Sequence, residues 1–188
     1  MVKLLQFRQV IGGLIGLLGL TVMFGWLIRS PALVQVAPGL VAMVFNTALG
    51  FLLCALALLL PGGTRAMAAR LRQLAALLVL ALGAFSALQI AAGLDLGIDQ
   101  AVVTVWLSDS NPHPGRLAPL TSVGFVLAGI CLLMLDRLHG ERMRQQLMQV
   151  LTLLILALGI VGLIGYSIKL ELLFEWYGFV RMAPSTAL

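Results

Sequence analysis

Apolar residues run along this chain in long blocks separated by short polar breaks, with neither helical stripes nor strand-like alternation. Five blocks stand out: Val10–Ile28, Gly39–Leu60, Leu74–Gly93, Ala118–Leu135 and Leu147–Ile168. A helix rises about 1.5 Å per residue, so about 20 apolar residues cross a hydrocarbon layer roughly 30 Å thick. Each block therefore predicts a transmembrane helix. Leu, Ala and Gly dominate them without the dyad alternation of a membrane barrel, and in lipid each segment must satisfy its own backbone.

Composition agrees with the pattern. With 61% hydrophobic and 10% charged residues, the chain carries more apolar surface than a water-soluble domain of this size can hide. The first block is too long for a signal-peptide core and lacks a clear small-residue cleavage site, so it reads as a span. A formal charge of +5 first invites a nucleic-acid reading. The basic residues, however, lie in short clusters between apolar blocks, which is a topology signal and excludes nucleic acid as the expected partner.

If the spans alternate, Lys3, Arg8, Arg65, Arg70, Arg72, Arg137, Arg142 and Arg144 share one side, and Arg29, Arg116, Lys169 and Arg181 the other. The positive-inside rule then places the N-terminus in the cytoplasm. The expected fold is all-α and integral to the membrane: a bundle of transmembrane helical hairpins with five complete spans plus the start of a sixth. The inner connections "PGGTRAMAARLR" and "DRLHGERMRQQ" are short and basic. The outer segments "DLGIDQAVVTVWLSDSNPHPG" and "KLELLFEWYGFVRM" are longer and amphipathic, with Trp106, Trp176 and Tyr177 expected at headgroup level.

One phrase recurs. "AMVFNTALGFLLCALALLL", "RLAPLTSVGFVLAGICLLML" and the closing "RMAPSTAL" align so that Thr47, Thr121 and Thr186 coincide, with Pro119 and Pro184 two residues earlier. Pro suits a first helical turn and a nearby Ser or Thr can satisfy a free N–H there, so each phrase reads as a helix opening. The expected organisation is one membrane domain over residues 1–188 built of three hairpin repeats: 1–69, 70–144 and an incomplete 145–188.

These phrases carry a family resemblance. Together with "LDLGIDQ" and "IGYSIKLELLFEWYGFVRMAPSTAL", they make the chain resemble the N-terminal multi-helix membrane input region of bacterial sensor histidine kinases and diguanylate cyclases. In that family the inward helices open with phrases like "PGRMxPNTALxFLLxGLALLL". The resemblance implies three hairpins, a sixth helix followed by a cytoplasmic output domain, a homodimer, and residence in the bacterial inner membrane.

No catalytic set emerges, and no cofactor is called for. His113 and His139 fall on opposite sides of the membrane by the predicted topology, so they cannot hold one haem or metal together. Cys54 and Cys131 lie inside apolar blocks without metal-ligand spacing. The spans lack Asp, Glu, Lys and Arg at their centres, which argues against an ion-coupled transporter. The candidate ligand site is the outer acidic set Asp95, Asp99, His113, Glu171 and Glu175, fit for a cation, an amine or a divalent metal. The alternative is a hydrated rim whose acids Lys169, Arg116 and Arg181 neutralise.

Gln89, Asn46, Ser86, Thr152, Tyr166 and Ser167 are expected to hydrogen-bond between helices, or to serve a quinone or lipid headgroup. Gly12 and Gly16, Gly83 and Ala87, and Gly159 and Gly162 are expected at close helix contacts, within the chain or, for Gly12 and Gly16, with a second copy. Two functions remain open from the sequence. One is a sensory input module coupled to a cytoplasmic output. The other is a small integral subunit packed against a larger membrane complex, the better reading if Leu188 is the true C-terminus.

Overall fold

A computed structural model of the chain describes residues 2–37, 40–60, 66–107, 113–135, 142–167 and 184–187. The described residues are helical without strands: α1 (Val2–Leu27), α2 (Pro31–Val34), α3 (Phe45–Leu59), α4 (Ala66–Ala92), α5 (Pro119–Met134), α6 (Arg142–Ser167) and α7 (Pro184–Ala187). Three stretches are long and apolar enough to cross a membrane, Gln6–Leu27, Ala66–Ala92 and Arg142–Ile164. They mark the chain as a membrane protein. The helices α3 and α5 are apolar but shorter, with 15 and 16 residues, or about 22–24 Å of rise.

The shortening has a local cause. The block expected from Gly39 becomes helical only at Phe45, because residues 41–44 are not helical and hold Ala42 and Met43 buried among other side chains. Likewise α5 is led in by a non-helical segment in which Leu117 is buried. Non-helical backbone beside apolar helices is tolerable where protein covers it. Met43 and Leu117, each two residues ahead of its helix, are both fully buried.

Neither helix opening uses the expected side-chain cap. The N-caps are Val44 and Ala118, both extended and without a side-chain cap bond. Backbone groups close the first turn instead, with the Thr47 and Ser122 N–H groups donating to the Val44 and Ala118 carbonyls at 3.0 and 2.9 Å. Pro119 and Pro184 begin their helices, where the missing N–H has no partner to lose. Thr47, Thr121 and Thr186 each fall at the third helical position.

Glycines set how the helices meet. A methyl group on Gly12, Gly16 or Gly19 of α1 would stand 3.1 Å from Leu59, 3.0 Å from Ala55 and 2.8 Å from the Ala48 carbonyl. Falling partner numbers against rising glycine numbers make α1 and α3 antiparallel. On α4, the same methyl on Gly83 would lie 2.7 Å from both the Ser122 carbonyl and the Val126 N–H nitrogen, while Gly129 of α5 backs onto Leu80. On α6, a methyl on Gly159 would stand 2.8 Å from the Ala187 carbonyl. Measured from the third-position threonine, the three carbonyls are equivalent, each belonging to the next residue. All three approaches therefore share one register.

The two long pairs join through a second core. Cys54, Ala57, Ala75, Ala76, Val79, Leu117, Phe125 and Leu132 cluster between α3, α4 and α5. Phe51 and Phe125, equivalent positions in α3 and α5, meet edge to face at 5.9 Å, with Gly50 beneath the Phe125 ring. Between α4 and α5 the Ser86 and Ser122 hydroxyls are 3.1 Å apart. The helix α6 packs on α5 and α7. It is the least covered of the long helices, with 11% of its apolar window buried against 33% for α1 and α4.

Candidate functional site

The end of the molecule that carries α2 and residues 94–107 holds its main polar construction. It begins where α4 stops. Gly93 adopts φ +63 and the Leu94 N–H returns to the Gln89 carbonyl at 3.0 Å, a left-handed helix ending that favours glycine. This ending turns the chain back over α4 and leaves Gln89, fully buried in the last turns of the helix, facing the loop.

Gln89 then organises that loop. Its Oε1 accepts the Leu96 N–H at 2.7 Å, and its Nε2 donates to Asp99 Oδ1 at 3.0 Å. The other Asp99 oxygen accepts the Arg116 Nε–H at 2.8 Å. Arg116 also donates to the Leu94 carbonyl at 3.0 Å and stands 4.0 Å from Asp95. From the neighbouring pair of helices, the Asn46 amide at the start of α3 donates to the Ile98 carbonyl at 2.9 Å. Arg116 and Asp99 are taken far out of solvent, with side chains only 5% and 9% exposed.

Gly115 makes the lead-in to α5 fit this arrangement. It sits at φ +81, and a Cβ there would stand 2.6 Å from the Asp99 carbonyl oxygen. A larger residue would face both backbone strain and a backbone collision. Asp99 and Arg116 are thus held together by main chain as well as by charge.

Beyond Asp99 the loop crosses to the first helix pair. Val103, Val105, Trp106 and Leu107 pack on a buried cluster that includes Val22, Trp26, Val34, Met43 and Phe45. Trp106 meets Trp26 edge on, with ring centroids 5.4 Å apart, and its indole N–H donates to the Trp26 carbonyl at 3.3 Å. Trp26 in turn donates to the Met43 carbonyl at 2.8 Å. Trp106, expected at headgroup level, is half-buried against Trp26 and the cluster around it.

Of the acidic set read from the sequence, Asp99 is held by Arg116 and Gln89. Asp95 is exposed and accepts the Gly97 N–H at 2.9 Å, and His113 is exposed. Glu171 and Glu175 lie outside the described residues, as do Trp176, Tyr177 and the side chains of Tyr166 and Ser167. No group of three or more His, Cys, Asp and Glu among the described residues is placed to hold a metal ion. No protein family, curated protein or solved structure matches the chain. Its function must therefore be argued from this geometry.

The polar residues within the spans divide by role. Asn46 and Gln89 serve the loop, Ser86 bridges helices, and Thr152 both donates to the Met148 carbonyl of its own helix and hydrogen-bonds Cys131 of α5. Gly12, Gly16, Gly83 and Gly159 stand at close approaches inside the chain, Gly162 is buried and Ala87 is half-buried. Sequence pattern alone did not point to Trp26, Gly19 or Gly115. A signal for Gly19 existed: "LALG" at 80–83 and again at 156–159 places two of the three contact glycines, and "GLLG" at 16–19 places the third.

Proposed function

We propose that this chain is the membrane input module of a bacterial signalling protein, coupling an outer-side or intramembrane cue to a cytoplasmic output. On this reading α1, α3, α4, α5 and α6 are five spans of a hairpin bundle in the inner membrane, with the N-terminus cytoplasmic. The inward helix of a third hairpin opens at Pro184, and the module works as a dimer.

The observation that best supports the reading is the common register of Gly19 on Ala48, Gly83 on Ser122 and Gly159 on Ala187. Three hairpins opening alike favour a repeated input architecture over an irregular accessory subunit. The Arg116–Asp99–Gln89 construction adds a place where a cue can act, because it holds the second hairpin's outer loop, which Asn46 and Trp26 also tie to the first hairpin. A cue shifts the module only by binding two arrangements of that loop with different affinity.

Reporter fusions after residues 62, 110, 138 and 188, with the length of the reading frame, test the proposal. Cytoplasmic reporters at 62 and 138, outer reporters at 110 and 188, and a frame continuing into about 20 apolar residues and a soluble domain are expected. A stop codon after Leu188 refutes the transducer. The bare face of α6 would then favour the second reading, a small integral subunit whose apolar surface packs into a larger membrane complex.

A further inference from the structure

Thr47 and Thr121 hold matched places at the third positions of α3 and α5 and are only 3% and 5% exposed. Among the described residues neither hydroxyl has a hydrogen-bond partner. A threonine inside a helix can return its hydroxyl to the carbonyl four residues back, as Thr21 and Thr152 do with Leu17 and Met148. At the third position that carbonyl belongs to the non-helical lead-in, where Met43 already accepts the Trp26 indole. A buried hydroxyl left in this state costs stability and points to a partner from outside the fold.

Both threonines head the stripes that meet between the hairpins. Thr47 shares a helix face with Gly50, Cys54 and Ala57, and Thr121 shares one with Phe125, Ala128 and Leu132. Gly50 lies under the Phe125 ring, and the other five belong to the core cluster between α3, α4 and α5, which Val44 and Leu117 of the two lead-ins also join. The helices thus open side by side, and the first-turn N–H groups of Phe45, Asn46, Leu120 and Thr121 have no partner among the described residues either. Each helix N-terminus carries about half a positive charge, so the two together match one singly charged oxyanion. Arg116 leaves that role to them, its own charge being taken by Asp99.

We propose that the paired openings of α3 and α5 form a ligand site, in which the Thr47 and Thr121 hydroxyls and the first-turn N–H groups donate to the oxyanion of an acyl-chain amphiphile. Depth selects the chain. The helix α1 continues eight residues beyond Gly19 while α3 begins three before Ala48, so the donors lie about 8 Å below the end of α1, where a ligand with an apolar body is at home and a free ion is not. The site gives the input module its cue and rests on that reading only for its purpose. Occupancy would set the spacing of α3 and α5 directly beneath Asn46 and Arg116, which hold the outer loop from the two helix openings.

Isothermal titration of the full chain in dodecylmaltoside micelles tests the site without any output assay. The probes are decanoate and lysophosphatidylglycerol, which separate a carboxylate from a phosphodiester source, with decanol lacking the charge and acetate lacking the chain. At least one of the first two should saturate a single site, and a Thr47→Val/Thr121→Val variant should bind it at least about tenfold more weakly. Without any probe, each single valine variant should melt at or above the native temperature, because no internal hydrogen bond is lost and a buried hydroxyl is removed. Decanol or acetate binding as well as the two amphiphiles do, or a double variant that binds as the native chain does, overturns the proposal. So does a valine variant that melts lower, since its hydroxyl would then be engaged by the protein or a fixed water. A stop codon after Leu188 would end the transducer reading and leave this binding unchanged.

Discussion

Removing the charge of Asp99 while keeping its shape tests the loop construction most directly. In the native chain Asp99 uses one oxygen for Gln89 and the other for Arg116. Asparagine supplies only one oxygen, and its amide must then face a donor on either side, because the Gln89 oxygen is already committed to the Leu96 N–H. Charge matters more than the lost bond. Opposite charges about 4 Å apart interact by about 4 kcal/mol at an effective dielectric near 20, and breaking one partner of a buried pair costs about 3–5 kcal/mol.

The Leu94 carbonyl and Asp95 still face Arg116, which puts Asp99→Asn near the low end, at about 3 kcal/mol. Arg116→Met strands the aspartate instead and should cost a similar amount. Removing both charges together is far milder, because the pair's own desolvation is relieved, so the double variant should lose only about 2 kcal/mol. Denaturant unfolding in detergent micelles, followed by tryptophan emission, gives a coupling energy of about 4 kcal/mol on these figures. Asp95→Asn, at an exposed side chain, should stay within about 0.5 kcal/mol and serves as the control. A coupling below about 0.5 kcal/mol would refute the assignment of the pair as the loop's lock.

Three further outcomes follow from the packing. Gly83→Ala must push its methyl into backbone atoms 2.7 Å away and should cost about 1–3 kcal/mol, whereas Gly13→Ala, with open space around it, should be neutral or slightly stabilising; thermal unfolding in micelles compares them. Gly115→Ala faces a positive φ and the Asp99 carbonyl together, so a loss of about 2 kcal/mol is expected in the same assay. In a Trp176→Phe background, Trp106→Ala removes the ring over Trp26 and its hydrogen bond; the remaining Trp26 emission should shift to the red and the stability fall by about 2 kcal/mol. An unchanged Trp26 spectrum would mean that the loop does not cover it.

The long apolar blocks made the helical membrane class legible because length and hydropathy alone fix it. Helix ends were less so. The block from Gly39 opens on apolar residues, yet residues 41–44 are not helical, since burial between α1 and the 94–107 loop accepts any apolar residue whatever its backbone. Hydropathy cannot distinguish a buried extended segment from a helical one. The threonines expected near helix caps lie one turn inside, because the backbone carbonyls of Val44 and Ala118 close the turn without them.

Asp99 illustrates the harder limit at the site. Its charge and its place in an outer loop were readable, but its engagement depends on Gln89 ten residues before it and on Arg116 seventeen after, joined only by the fold. Counting acids treats all four as equivalent. Burial separates Asp99 from Asp95, whose side chain is 79% exposed, and a carboxylate already holding a guanidinium is not an open cation ligand.

Where the hairpins differ at matched positions, the differences fall at the constructed ends. Six residues after the contact glycine, hairpin one has Gly25 and hairpin two has Gln89. Gly25 lets α2 lie against α1, since a Cβ there would meet Leu33 at 2.6 Å. Gln89 in the same place holds a longer loop by its side chain instead. At the helix ending the roles reverse: Gly93 takes the left-handed turn in hairpin two, while Arg29 takes it in hairpin one at φ +55, a conformation that costs a non-glycine residue roughly 1–2 kcal/mol. The glycine contacts in the middle of the helices stay alike, so they carry the packing common to the hairpins. The altered ends make the hairpins complementary, because the first supplies a buried tryptophan seat and the second supplies the charged loop that closes over it.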